Sequence, residues 1–262
     1  IQTVRRAWNI PELRKKIVFT LLILLIYRIG NAIPVPYVDV AALTEYLNSM
    51  STTVLGLYNV MSGGAFADAT VFALSIQPYI NASIIIQLLT VAIPALERMA
   101  REEGEAGRKK IASITRYTTV GIGLIQGFAY YMLMRNQYDI LTNESLAAAF
   151  VIIVTFVAGS AFIMWLGEQI TEFGIGNGIS IILFASIISR IPAGVGTMYT
   201  NREVLGAPGI IGIIVGLLAL VVLIVHVYNA ERRIPVQYAK RQVGRKIYGG
   251  QNPTLPVKVN MS

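Results

Sequence analysis

A chain of 262 residues that is 55% hydrophobic and only 14% charged is too apolar for intrinsic disorder. It is also poorer in charge than an ordinary soluble domain, which carries about 25% charged residues. The lack of cysteine excludes a disulfide scaffold, and a net charge of +8 suggests a nucleic-acid partner until the placement of those charges is read.

A hydrocarbon core about 30 Å thick requires roughly 20 apolar residues in helical form. Along the chain, stretches 17–33, 69–93, 111–134, 146–166, 175–191 and 209–228 reach or approach that length. The third, fourth and sixth read as clean spans, and the other three are short or interrupted. Several are apolar on every side, as a soluble surface helix is not. No ten-residue alternating segments of the kind a membrane β-barrel needs are evident. The pattern predicts an all-α polytopic membrane protein.

The basic residues orient it. Arg5, Arg6, Arg14, Lys15 and Lys16 precede the first span, and Arg98, Arg101, Arg108, Lys109, Lys110 and Arg116 lie between the second and third. Arg232, Arg233, Lys240, Arg241, Arg245, Lys246 and Lys258 follow the sixth, so these three groups hold eighteen of the 22 Lys and Arg residues. The positive-inside rule then places both ends in the cytoplasm with six spans between. Residues 167–174 are expected as a short cytoplasmic turn carrying Glu168 and Glu172. The basic start has no identifiable small-residue cleavage site, so it is not expected to be a signal peptide.

The interrupted spans carry the functional signal. Stretch two contains Gln77, Pro78, Asn81, Ser83 and Gln87 within a would-be membrane helix. Unpaired polar groups in hydrocarbon cost several kcal/mol each, roughly, so these must face other helices or an aqueous cavity. Interhelical hydrogen bonding alone is the simpler account. Upstream, 52–67 is too short to span and is broken by Gly63-Gly64; it fits either a half-helix folded into a funnel or an interfacial helix. The glycines of 174–178 follow a membrane helix rather than a strand and lack a P-loop lysine, so a helix-to-helix turn is expected there, not a phosphate site. Ile76 and Ile80, like Ile179 and Leu183, are four apart and share a helix face.

Catalytic signatures are missing. There is no His-Glu-x-x-His or Gly-x-Ser-x-Gly, and the single histidine, His226, makes a poor metal site, so no enzyme, cofactor or metal is expected. No carboxylate lies mid-span, which argues against ion-coupled transport. The tail 231–262 sets seven basic residues against one acidic residue. It suits anionic lipid or, more sharply, nucleic acid bound by charge neutralisation.

These stretches also resemble a known family. SIQPYINASIIIQLL (75–89) and LGEQITEFGIGNGISIIL (166–183) are similar to two signature segments of the SecY family, the central subunits of the bacterial protein-translocation channel. IPELRKKI, MSGGAFADATVFAL, EGEAGRKKI, YAKRQVGRKIYGGQ and LPVKVNM support the resemblance in order. It implies the first half of a pseudo-symmetric ten-helix channel, through helix six and the next cytoplasmic loop, with helices seven to ten absent. By that resemblance residues 1–16 are a cytoplasmic segment, 17–193 the first-half bundle, 194–229 an outer loop with helix six, and 230–262 the basic loop. Ile76, Ile80, Ile179 and Leu183 match the pore ring, Leu183 standing where isoleucine is more usual. About 53–65, with Leu57, Tyr58, Asn59, Met61, Ser62, Gly63 and Gly64, matches the plug, and Gln87 and Asn177 match polar residues of the lateral gate. Arg232, Arg233, Lys240, Arg241, Arg245 and Lys246, with Lys109 and Lys110, match the surface that docks the ribosome or the ATPase SecA. SecE-like and SecG-like subunits, signal peptides, nascent chains and the lipid bilayer are the other implied partners, and the bacterial cytoplasmic membrane the implied location. The competing reading from the residues is a small-solute transporter built on broken helices.

Overall fold

The computed structural model describes residues 10–50, 53–137, 140–235, 241–243, 246–248 and 254–258. The chain forms two compact units, Ile1–Pro192 and Ala193–Ser262, and is mostly helical.

In the first unit, α1 (Pro11–Gly30) starts on a proline, whose missing N–H costs nothing in a first turn. It buries Thr20, Ile23, Tyr27 and Gly30, one face at helical spacing. Asp39 caps α2 (Val40–Ser49) by accepting the Ala41 and Ala42 amides. The short α3 (Val54–Met61) follows, then an irregular segment leads to α4 (Gln77–Ala92). Pro94 bends the chain by 102° into α5 (Pro94–Arg101), with Ile93 forced into the extended conformation that precedes proline. The long α6 (Gly104–Arg135) and α7 (Leu146–Phe173) pack together. Small residues of α6 allow the approach: Gly123 faces Val157, and Gly127 faces Ile153 and Val157, of α7. A tight turn leads to α8 (Gly178–Ser189), and α9 (Ile191–Thr200) begins at the end of this unit and runs into the second.

The second unit contains α10 (Arg202–Tyr228), kinked at Gly206 just before Pro208. Strands β1 (Glu231–Pro235) and β4 (Thr254–Lys258) form an antiparallel ribbon in which Glu231 opposes Lys258. Strands β2 (Arg241–Val243) and β3 (Lys246–Tyr248) pair as a second.

Among the described residues, three helical stretches are long and apolar enough to cross a bilayer: Leu146–Phe173, Gly178–Thr200 and Gly206–Tyr228. The bent pair α4–α5 makes a fourth if it counts as one span. Arg14, Lys15, Lys16 and Arg28 lower the apolarity of α1, and glycine, threonine and tyrosine dilute α6, which read as a clean span in sequence.

Two expectations are corrected. Stretch 69–93 is not one helix: positive φ at Ala69 and Ser75 breaks the backbone, and the helix starts only at Gln77 beside Pro78. Residues 167–174 are not a turn, because α7 continues to Phe173. Glu168 belongs to that helix and pairs across to Arg116 of α6 at 2.8 Å, so Arg116 also lies within a helix rather than a loop.

Two apolar clusters fill the first unit. One gathers Leu43, Leu47, Phe66, Leu74, Tyr130, Met134, Ile152 and Phe156. The other gathers Ile23, Tyr27, Phe72, Ile76, Ile163, Leu166, Ile170 and Ile182.

Candidate functional site

The second cluster sits where the irregular segment enters α4, and four helices supply its walls. Ile76 is the N-cap residue of α4 and completely buried. Ile80, one turn on, and Ile179 of α8 are half-buried and pack against the same cluster. Both Ile76 and Ile179 lie against Gly167 of α7. Leu183 is half-buried and falls outside the cluster. Three of the four expected ring residues therefore meet in one apolar site.

The turn into α8 fixes Ile179. A Cβ on Gly178 would collide with the Gly167 carbonyl, so only glycine permits this crossing. The Gly178 amide donates to Thr171 Oγ1 at 2.9 Å, and the Ile175 amide donates to Thr20 Oγ1 at 3.2 Å. Asn177 caps α8, its Oδ1 accepting the Ile179 amide at 3.1 Å and the Ser180 amide at 3.2 Å. Further along, the Tyr27 hydroxyl and Ser186 Oγ share a buried 2.7 Å hydrogen bond that ties α1 to α8. Replacing Asn177 with alanine removes a cap worth about 1 kcal/mol. The expected result is a melting point about 2–4 °C lower in detergent, followed by circular dichroism.

Asn177 is exposed and spends its amide oxygen on capping; Gln87 is exposed too, and no hydrogen bond joins them among the described residues. Asn177 instead borders a cleft of about 480 Å³ whose wall includes Tyr79, Trp165, Ile179 and the Arg116–Glu168 pair. Sequence reasoning placed both members of that pair in loops. Two like-spaced opposite charges on consecutive apolar helices were the available signal.

The stretch expected as a plug is α3 and the turn after it. Gly63 has φ +69°, in the left-handed region. Its amide donates to the Val60 carbonyl at 3.1 Å while the Gly64 amide donates to the Asn59 carbonyl at 2.9 Å, the bonding of a Schellman motif. The Tyr58 hydroxyl donates to the Leu74 carbonyl at 3.0 Å, Asn59 Oδ1 accepts the Ala67 amide at 3.0 Å, and Met61 Sδ accepts from Gln77 Nε2 at 3.3 Å. Ser62 is completely buried, its Oγ accepting the Phe66 amide at 3.1 Å. Leu57 stays exposed. The half-helix is thus bonded at several points to the irregular segment behind it. Behind α3 is an apolar cavity of about 210 Å³, into which Gln126 also faces; its buried Oε1 has no partner among the described residues.

Of the basic docking residues, Arg232 and Arg233 lie on β1 and are exposed. Arg241 begins β2 and Lys246 begins β3; Lys240 and Arg245 lie outside the described residues. Lys109 and Lys110 sit in the first turns of α6, exposed, with Lys110 bonded to Glu103 at 2.8 Å.

Comparison with known proteins decides the family. The SecY family model matches residues 70–262. The chain belongs to the SecY family. Protein translocase subunit SecY of Streptomyces scabiei is 43% identical over 98% of this chain and 61% of its own length. The SecY of Aquifex aeolicus is 41% identical over 98% of this chain and 62% of its own length, and that of Escherichia coli is 41% identical over 97% and 58%. This SecY-family chain therefore spans about three fifths of the length of these curated relatives. Its fold is similar to that of a solved protein-conducting channel, with a TM-score of 0.64 and 18% identity over 97% of this chain and 57% of the other. It is similar as well to Sec61 in a canine ribosome–channel complex, with a TM-score of 0.60 and 18% identity over 89% and 54%. At such identity the structural likeness speaks for the fold. Membership and the apolar helices together make this SecY chain a multi-pass membrane protein.

Proposed function

We propose that this chain is the N-terminal portion of a protein-conducting channel, which passes unfolded secretory polypeptides across the cytoplasmic membrane and releases membrane-protein helices sideways into it. The supporting observation is the meeting of Ile76, Ile80 and Ile179 in one apolar site between a broken span and the start of α8. An apolar constriction resists ions by dewetting, yet its flexible side chains can part around a peptide. Leu183 completes the ring in this reading, and α3 with the turn through Gly64 acts as the plug.

Six spans would cross the membrane, α1 and α6 among them, with both ends cytoplasmic. The polarity of α1 and α6 is consistent with helices that face other helices rather than lipid. Gln87 and Asn177 would serve the lateral gate, exchanging partners as a signal sequence enters. The exposed Arg232 and Arg233, with Lys240, Arg241, Arg245, Lys246, Lys109 and Lys110, would dock phosphate-rich ribosomal RNA or SecA. SecE-like and SecG-like subunits would complete the assembly, and the channel would need no catalytic group, metal or cofactor of its own.

Cross-linking tests this in the full-length protein. A stalled secretory chain should cross-link to single cysteines replacing Ile80 and Ile179, and not to one replacing Leu146, exposed at the opposite end of α7 from Gly167. Absence of both cross-links while export proceeds would sink the assignment.

A further inference from the structure

α3 and α8 both end with no basic residue in their last turns, although a helix C-terminus is the negative end of its dipole. One cation lies where the two ends meet. Arg190 is the C-cap residue of α8, and its guanidinium lies against Gly64, at the second position beyond the cap of α3. A Cβ built on Gly64 would stand 2.9 Å from Arg190 Nη1, 3.0 Å from Cζ and 3.4 Å from Nε. One built on Gly63 would stand 3.0 Å from the Ser186 carbonyl oxygen and 3.1 Å from Ser189 Oγ. The turn after α3 therefore seats on the last turn of α8 with no room for side chains. Among the described residues no carboxylate pairs with Arg190.

We infer that Arg190 is a positioning residue that holds α3 seated, its guanidinium serving as the one cation for the C-terminal ends of both α3 and α8. This rests on the plug reading above for its consequence in transport, though not for the contact itself. Losing the charge removes a favourable term from two helix ends at once and leaves the glycine turn free to lift. Lysine keeps the charge, so it restores much of the effect; a neutral residue of similar length does not.

The test uses the full-length channel in proteoliposomes, with Ser62→Cys as a label site. This stretch of chain contains no other cysteine, Ser62 is completely buried, and cysteine is nearly isosteric with serine. Labelling by a membrane-impermeant maleimide then reports how often α3 leaves its seat. Arg190→Gln should raise the labelling rate about five- to tenfold, and Arg190→Lys should leave it within about twofold of the parent. Arg190→Met supplies a second neutral variant should the first not accumulate, and Leu57→Cys, already exposed, controls for folding. Unchanged labelling in the neutral variants overturns the inference, as does an equal rise in Arg190→Lys, which would make the contact one of shape alone. Ion conductance measured in parallel separates the two claims. Faster labelling without added conductance upholds the clamp and defeats the plug reading.

Discussion

Gly178→Val should prevent the first unit from folding normally, whereas Gly121→Ala should be tolerated or slightly stabilising. A Cβ at Gly178 meets the backbone of Gly167, and neither helix can yield without moving the other. Overpacking of this kind costs about 1–3 kcal/mol where side chains can adjust, and more where the obstacle is backbone. Around Gly121 a Cβ meets nothing within 4 Å, and exchanging a mid-helix glycine for alanine gains about 1 kcal/mol. Thermal melting in detergent checks both, with the valine variant expected to lose its transition or fall by at least 10 °C. Equal melting points for the two would mean that α7 and α8 do not cross as closely as described. The effect should reach the apolar site too, since Ile179 is the next residue after Gly178.

The second large effect is expected at Tyr130. This side chain is the middle of an aromatic column running from α3 through the irregular segment and α6 to α7. Tyr58 lies 4.9 Å from Phe66, Phe66 4.3 Å from Tyr130, and Tyr130 5.0 Å from Phe156 between ring centroids. The Tyr130 hydroxyl also donates to the Phe66 carbonyl, and both residues are buried. Tyr130→Ala removes the packing of a large buried ring, at about 3–5 kcal/mol, and strands that carbonyl. Tyr130→Phe strands only the carbonyl, at about 1–3 kcal/mol. Melting points should therefore fall in the order wild type, Phe, Ala, with the alanine variant about 10 °C or more below wild type. If Phe proved as damaging as Ala, the hydrogen bond rather than the column would be the dominant contribution.

How much of this was legible beforehand depended on how local each signal is. Pro11, Pro94, Asp39, Ser145 and Asn177 mark helix starts by chemistry acting within three residues, and each helix begins where that chemistry says. Gly63-Gly64 likewise announced the end of α3. Stretch 69–76 misled because a buried irregular segment and a membrane helix are equally apolar; burial and not backbone conformation sets that composition. Glu168 misled in the opposite direction. A carboxylate among apolar residues reads as a loop unless its partner is known, and Arg116 lies 52 residues earlier in sequence. The apolar site was readable as two isoleucine pairs on two helices. That Leu183 would stand outside the cluster and that Arg190 would meet Gly64 both depend on how helices distant in sequence cross. The β1–β4 ribbon had no local marker, since its strands are separated by eighteen residues and carry a proline each.

The irregular segment before α4 draws its backbone partners from an earlier part of the chain. The Val71 amide donates to the Ile33 carbonyl at 2.9 Å, the Val35 amide to the Ala69 carbonyl at 2.9 Å, and Thr44 Oγ1 to the Ala67 carbonyl at 3.2 Å. Turn bonds within the segment, among them Asp68 to Gly64 and Ala73 to Thr70, leave the Val71 amide and the Ala69 carbonyl to be met across this seam, because a bare peptide group in an apolar environment is costly. Chains are made from the N-terminus, so residues 33–44 are synthesised before 67–71. The seam between 33–44 and 67–71 therefore joins an older piece of chain to a younger one, and a change on either side leaves peptide groups of the other bare in an apolar environment.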